Sequence, residues 1–149
     1  MTPPDAAPPG LLVRRLDPRA RLPSRGSPGA AGLDLYAIED ATIYRREHQA
    51  IATGVAVALP QDSVGIIAAR SGLALRSMVA VLGGIIDPDY RGELQVILAN
   101  LSGTEHVTIR AGDRIAQLLI MQAPQLDVIE VATLDATERD ASGFGSSGR

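Results

Sequence analysis

Ile51-Ala52-Thr53-Gly54-Val55-Ala56-Val57-Ala58-Leu59 is the stretch whose reading decides the fold class. In an extended chain successive side chains point to opposite faces, so Ile51, Thr53, Val55, Val57 and Leu59 share one face and Ala52, Gly54, Ala56 and Ala58 the other. Large residues on one side, small ones on the other and no charge on either describe a strand with two buried faces. Working outward, Leu11–Leu16, Val64–Ala68, Leu94–Leu98, Val107–Ile109, Ile115–Met121 and Leu126–Val131 have strand lengths, β-branched enrichment and turn residues between them. One short helix is expected over Ser71–Ser77, with Ser71 as its cap and Leu73 and Leu75 as its anchors. Many short strands at this spacing predict an all-β sandwich or barrel of jelly-roll type. Several strands are apolar on both sides, which fits either a buried interface between copies of the chain or an ordinary thick core.

With 149 residues the chain has the length of a single domain, which buries about two thirds of its unfolded surface and folds without disulfide or metal. Residues 1–10 are read as a proline-rich disordered arm, 11–138 as the jelly-roll domain and 139–149 as a flexible C-terminal arm. Pro18, Pro23 and Pro28 keep the chain irregular up to Ala30. The absence of cysteine excludes thiolate catalysis and zinc–thiolate sites and fits a reducing compartment, so a cytoplasmic location is the default. Nothing near Met1 has the pattern of a secretory signal, and no apolar run approaches membrane-spanning length. A net charge of −3 argues against a sequence-independent nucleic-acid binder. There is no lysine, so Schiff-base chemistry is excluded and any phosphate site must use guanidinium groups.

Few residues are suited to acid–base work. His48 and His106 lie in polar, loop-like surroundings with no serine–acid pair nearby, and read as surface histidines. In Gly83-Gly84-Ile85-Ile86-Asp87-Pro88-Asp89-Tyr90-Arg91-Gly92, apolar residues lead into Asp87, Pro88 fixes a turn and Tyr90 follows. A carboxylate and an aromatic ring can thus border one pocket, where the carboxylate can orient and deprotonate a water; a plain Asp-Pro hairpin is the alternative. Phe144, the sole phenylalanine, stands in Ser142-Gly143-Phe144-Gly145-Ser146-Ser147-Gly148 with no apolar neighbour. Such a segment is either an idle terminus or an arm that closes over a flat apolar face bearing anionic groups.

Further segments complete an ordered set: Ala31-Gly32-Leu33-Asp34-Leu35-Tyr36-Ala37, Ala69-Arg70-Ser71-Gly72-Leu73-Ala74, Gly112-Asp113-Arg114-Ile115-Ala116-Gln117 and Arg139 to Gly148. In order and spacing the set closely resembles the trimeric deoxyuridine triphosphate nucleotidohydrolases, the dUTPases. The resemblance runs from about Ala30 to the C-terminus. It implies a distorted jelly roll of the β-clip kind, a homotrimer with one short helix per subunit and active sites between subunits, and Mg²⁺-dependent hydrolysis of dUTP to dUMP and pyrophosphate. Asp87 then matches the carboxylate that activates water for attack on the α-phosphorus. Arg70, Ser71, Gly72 and Gln117 match phosphate contacts, and Asp34 the acidic residue that supports the metal through its water shell. Gly83, Gly84, Ile85 and Ile86 belong to the hairpin whose main chain reads uracil, and Tyr90 matches the ring that packs on the deoxyribose. In the tail Arg139, Ser146 and Ser147 match phosphate contacts, and Phe144 with Gly145 the segment that stacks on the base.

The chain departs from the family pattern in places. Ala69 stands where many members have proline, Val81-Leu82-Gly83 where many bacterial members place an asparagine near uracil, and Asp140 and Ser142 where glycines are common. The dCTP deaminases, which share this fold, resemble the chain around Ile86-Asp87-Pro88 and Asn100, but their chemistry needs a glutamate at the position of Ile97. A non-catalytic trimer on the same scaffold is the other alternative. Because the Phe144 ring belongs to no predicted core, Phe144→Ala is expected to leave the unfolding midpoint and the oligomer unchanged while impairing dUTP turnover, measurable by steady-state kinetics beside thermal melts.

Overall fold

The computed structural model describes residues 10–137. Along it run β1 (Leu12–Arg15), β2 (Leu33–Tyr36), β3 (Ala41–Ile43), β4 (His48–Ala52), β5 (Val55–Ala58) and β6 (Ser63–Ala68). The helix α1 (Ser71–Ser77) follows, then β7 (Val79–Leu82), β8 (Ile85–Ile86), β9 (Gln95–Asn100), β10 (Val107–Ile109) and β11 (Arg114–Gln122). Antiparallel pairing arranges them as β1-β5, β10-β3, β2-β11-β6-β8 and β4-β9-β7. The all-β jelly roll with one short helix is as expected.

The alternation over 51–59 holds in burial, since Ile51, Thr53, Val55, Val57 and Leu59 are all buried. It is not one strand, however. The chain turns a corner at Gly54, whose φ of +70° takes β4 into the sheet with β9 and β5 into the pair with β1. A Cβ at Gly54 would stand 2.8 Å from the Ala20 Cβ, so glycine is needed for space as well as for the left-handed backbone. The corner is held from across the core: the Thr53 hydroxyl donates to the Leu94 carbonyl at 2.5 Å, and the Leu94 N–H to the Val55 carbonyl at 2.8 Å.

Leu94, Val96, Leu98 and Ile115 are wholly inaccessible and pack with Leu35, Ile43, Ile51 and Leu118 into one core. Each such side chain stabilises the fold by about 1.5–3 kcal/mol relative to exposure. The expected strand at Leu126–Val131 is absent: among the described residues it makes no ladder, and Leu126, Val128, Ile129 and Val131 are exposed. The apolar pattern is present, but no pairing among the described residues accompanies it. Of the expected helix anchors, Leu73 packs against the core while Leu75 is 86% exposed.

Asn100 is the polar residue on which this core closes. Its Nδ2 donates to the carbonyls of Ile43 at 3.0 Å and Glu105 at 2.8 Å, and its Oδ1 accepts the Ser102 N–H at 2.9 Å. One buried amide thus ties β3, β9 and the following loop together. Asn100→Leu strands these backbone groups and is expected to cost about 3 kcal/mol or more, read as a lowered denaturant midpoint at unchanged m-value.

Candidate active site

Register brings the first half of the site together. Asp34 on β2 lies opposite Gln117 on β11, and Gln117 lies opposite Ala68 at the end of β6, two residues before Arg70. Asp34 is further anchored by its backbone, whose N–H donates to the Ser24 carbonyl at 2.7 Å. Its carboxylate faces two guanidinium groups, Oδ1 at 3.2 Å from Arg70 Nε and Oδ2 at 3.5 Å from Arg114 Nη1. The carboxylate is the more buried partner, so it fixes both arginines while they reach toward solvent. Arg70 is braced again where its Nη1 donates to the Arg114 carbonyl at 3.3 Å.

Gln117 donates from Nε2 to the Ala69 carbonyl at 3.1 Å. Its Oε1 occupies space that a side chain at residue 32 would take, since a Cβ on Gly32 would lie 2.6 Å away. Asp34, Arg70, Ser71, Gly72, Arg114 and Gln117 line a cavity of about 300 Å³. Two oriented guanidiniums, a hydroxyl and an amide on one concave surface suit a polyanion. Ser71 is not the helix cap expected of it: Arg70 holds that position with no side-chain cap bond, which leaves the Ser71 hydroxyl exposed beside the cavity.

The second half is the turn between β7 and β8; the hairpin expected here does not form, because β7 pairs with β9 and β8 with β6 and the two strands lie in different sheets. Gly83 and Gly84 have φ of +63° and +95°, and a Cβ at Gly84 would meet the Ile67 carbonyl oxygen at 2.6 Å. That close approach allows the Ile67 N–H to bond the Gly84 carbonyl at 2.7 Å, docking the turn on β6. Beyond β8 the turn closes on itself, with the Tyr90 N–H donating to the Asp87 carbonyl at 3.1 Å and Arg91 Nη1 to the Pro88 carbonyl at 2.7 Å. Ile85, Ile86, Asp87, Tyr90, Glu93 and Ile97 line a cavity of about 210 Å³. Asp87 is exposed, and among the described residues nothing donates to its carboxylate, which is therefore available to a water.

Asp34, Arg70, Ser71, Gly72 and Gln117 are thus brought together, and so are Ile85, Ile86, Asp87 and Tyr90, but in separate cavities with no residue in common. Gly83 and Gly84 shape the second without lining it. Arg139, Phe144, Gly145, Ser146 and Ser147 lie outside the described residues. His48 and His106 are exposed as expected, although His48 opens β4 rather than a loop. Arg114 was not foreseen, because it stands three positions before Gln117 and strand alternation puts such positions on opposite faces. A bulge between Arg114 and Ala116 shifts the register with β2 and brings Arg114 onto the same cavity.

An arginine-lined polyanion cavity and a carboxylate-bearing turn on an all-β scaffold are the equipment of a phosphohydrolase. A model of the dUTPase family matches residues 18–148. The deoxyuridine 5'-triphosphate nucleotidohydrolase of Nocardia farcinica is 46% identical over 140 residues, covering 93% of this chain and 85% of that protein. Among solved structures, the Staphylococcus bacteriophage 80alpha dUTPase with dUPNHPP superposes with a TM-score of 0.88 at 29% identity, covering 94% and 99% of the two chains. A mutant dUTPase from phage phi11 of S. aureus, in which a structural Mg(II) ion is coordinated, gives 0.80 at 25% identity over 86% and 100%. The chain belongs to the dUTPase family and is an enzyme that hydrolyses dUTP.

Gly84 tests the turn between β7 and β8. Gly84→Ala adds a Cβ against backbone and forces a left-handed conformation on a residue that resists it, so a loss of about 2 kcal/mol or more is expected. Loss of Ile67 amide protection in hydrogen exchange, together with failing dUTP turnover, would report the undocked turn.

Proposed function

We propose that the protein hydrolyses dUTP to dUMP and pyrophosphate, by attack of an Asp87-activated water on the α-phosphorus, in a site assembled between copies of a homotrimer. One observation carries the shared site. Asp87 follows Ile86, which pairs with Gly65 near the start of β6, whereas Arg70 lies just past the other end of that strand. At about 3.3 Å per residue the two are roughly 20 Å apart along β6. That is too far for a water on the α-phosphorus and a guanidinium on the adjacent phosphates to act on one nucleotide. The exposed apolar run from Leu126 to Leu134, with Ile120 and Met121, gives the chain surface to bury against other copies.

In this reading Arg70, Ser71, Gly72 and Gln117 hold the phosphates, joined from the C-terminal arm by Arg139, Ser146 and Ser147. Main-chain groups from Gly83 to Ile86 read the uracil edge. The tight turn leaves no room for the 5-methyl of thymine, and cytosine presents a donor where uracil presents an acceptor. Val81 packs against the core rather than reaching toward a base, so no asparagine-like contact supplements the main chain. Tyr90 packs on the deoxyribose, and Phe144 with Gly145 closes over the base, excluding water.

Asp34 is the carboxylate lining the phosphate cavity, and among the described residues no group of three His, Asp or Glu side chains is placed to ligate an ion. This donor set fits Mg²⁺, which keeps several waters and takes its direct ligands from substrate phosphates, with Asp34 reaching it through water. When bound it neutralises phosphate oxygens and holds the triphosphate in line. No helix among the described residues is long and apolar enough to cross a membrane. In this reading the protein works in the cytoplasm on dUTP, without nucleic acid or membrane as partner, removing dUTP before polymerases use it and yielding dUMP for dTMP synthesis.

The test is to incubate the protein with Mg²⁺ and either dUTP or dCTP and to assay pyrophosphate and ammonia. Pyrophosphate from dUTP alone is expected, with Asp87→Asn lowering kcat by at least about 10²-fold. Ammonia from dCTP would point to deamination instead. Co-refolding Asp87→Asn with Arg70→Ala is expected to restore part of the activity each lacks alone, and no restoration would place both residues in a site within one subunit.

A further inference from the structure

Tyr90 is held by a device outside the turn it belongs to. Its hydroxyl donates to the Glu93 carbonyl at 2.9 Å, and its ring lies against Gly92, where a Cβ would come within 2.6 Å of Cζ. Glu93 is itself pinned, because its Oε1 accepts the Gly54 N–H at 2.7 Å. Gly54 is the corner between β4 and β5, and the next residue, Leu94, is fastened to the same corner through Thr53 and Val55. Glu93 therefore sits at both ends of a relay: its main chain fixes the tyrosine ring and its side chain fixes that main chain to the most constrained point of the scaffold. Glu93 also lines the cavity shared with Asp87 and Tyr90, yet its carboxylate is spent on a backbone amide and not aimed at a reacting group.

We infer that Glu93 is a positioning residue for sugar selection. By clamping the Tyr90 hydroxyl and the Gly92 backbone to the Gly54 corner, it keeps the ring where a 2′-hydroxyl would collide. The inference rests on the reading of Tyr90 as the deoxyribose contact. A ring free to swing away still permits dUTP binding but no longer penalises the ribonucleotide. Loss of the clamp should therefore show in the ratio of kcat/KM for dUTP to that for UTP more than in either fold or basal turnover.

The experiment compares Glu93→Ala, Glu93→Gln, Gly92→Ala and Tyr90→Ala on the full chain, with dUTP and UTP as substrates and Mg²⁺ present. Glu93→Gln retains an oxygen that can accept the Gly54 N–H and is expected to keep the wild-type ratio. Glu93→Ala is expected to lower it about 3- to 10-fold, the worth of one net hydrogen bond, mainly by improving KM for UTP. Gly92→Ala, which pushes on the ring directly, should lower it as well. In protein labelled with 3-fluorotyrosine, the Tyr90 resonance, assigned by its loss in Tyr90→Phe, should shift or broaden in Glu93→Ala and not in Glu93→Gln. This readout needs no activity.

If Tyr90→Ala collapses the ratio while Glu93→Ala leaves both the ratio and the fluorine resonance unchanged, the inference is wrong and the reading of Tyr90 stands. An unchanged ratio in Tyr90→Ala overturns both. An equal fall in Glu93→Gln and Glu93→Ala would also overturn it, since the accepted hydrogen bond would then not be the element that matters.

Discussion

The pairing of β6 on both edges governs this molecule. On one side β11 runs against it over the whole of β6, and on the other the two-residue β8 is held by the ladder and by the Ile67–Gly84 bond. Because β6 is continuous, whatever β8 delivers is set at one end and whatever follows Ala68 is set at the other. The turn that carries Asp87 and the arginine-lined cavity are thereby kept apart within the chain. Separation of this kind makes assembly part of the proposed chemistry, with oligomerisation needed to complete a site and not only to cover apolar surface.

Around that strand, polar contacts do the orienting and apolar ones the holding. The core residues of β9 and β11 are inaccessible, and their burial is what resists unfolding. The polar contacts that orient the proposed site instead sit where strands end or bend. Asp34 sets two guanidiniums, the corner at Gly54 receives Glu93, and Gln117 ties β11 to the backbone just before Arg70. Neutral and charged groups are thus positioned by backbone atoms of rigid elements, the condition under which a site is preorganised.

Much of this was legible from residue types and spacing. Turn glycines beside Asp87, the Arg70-Ser71-Gly72 run and the period of two over 51–59 each follow from local stereochemistry, which a sequence carries directly. Arg114 was not legible, because a bulge inverted its expected face, and neither was Glu93, because its partner Gly54 is distant in sequence. The run Leu126–Val131 misled for a related reason: alternation states that a segment can be a strand, but a ladder also needs an edge to bond.

By itself, then, the sequence determined the class of fold and the family, and it supplied most of the residues of the proposed site, since apolar period, glycine-dependent turns and ordered motifs are local properties. Tertiary structure decided the corner at Gly54, the recruitment of Arg114 and Glu93, and the placing of Asp87 and Arg70 at opposite ends of β6. Those depend on register and on contacts between residues far apart in the chain, which only the packed sheet fixes.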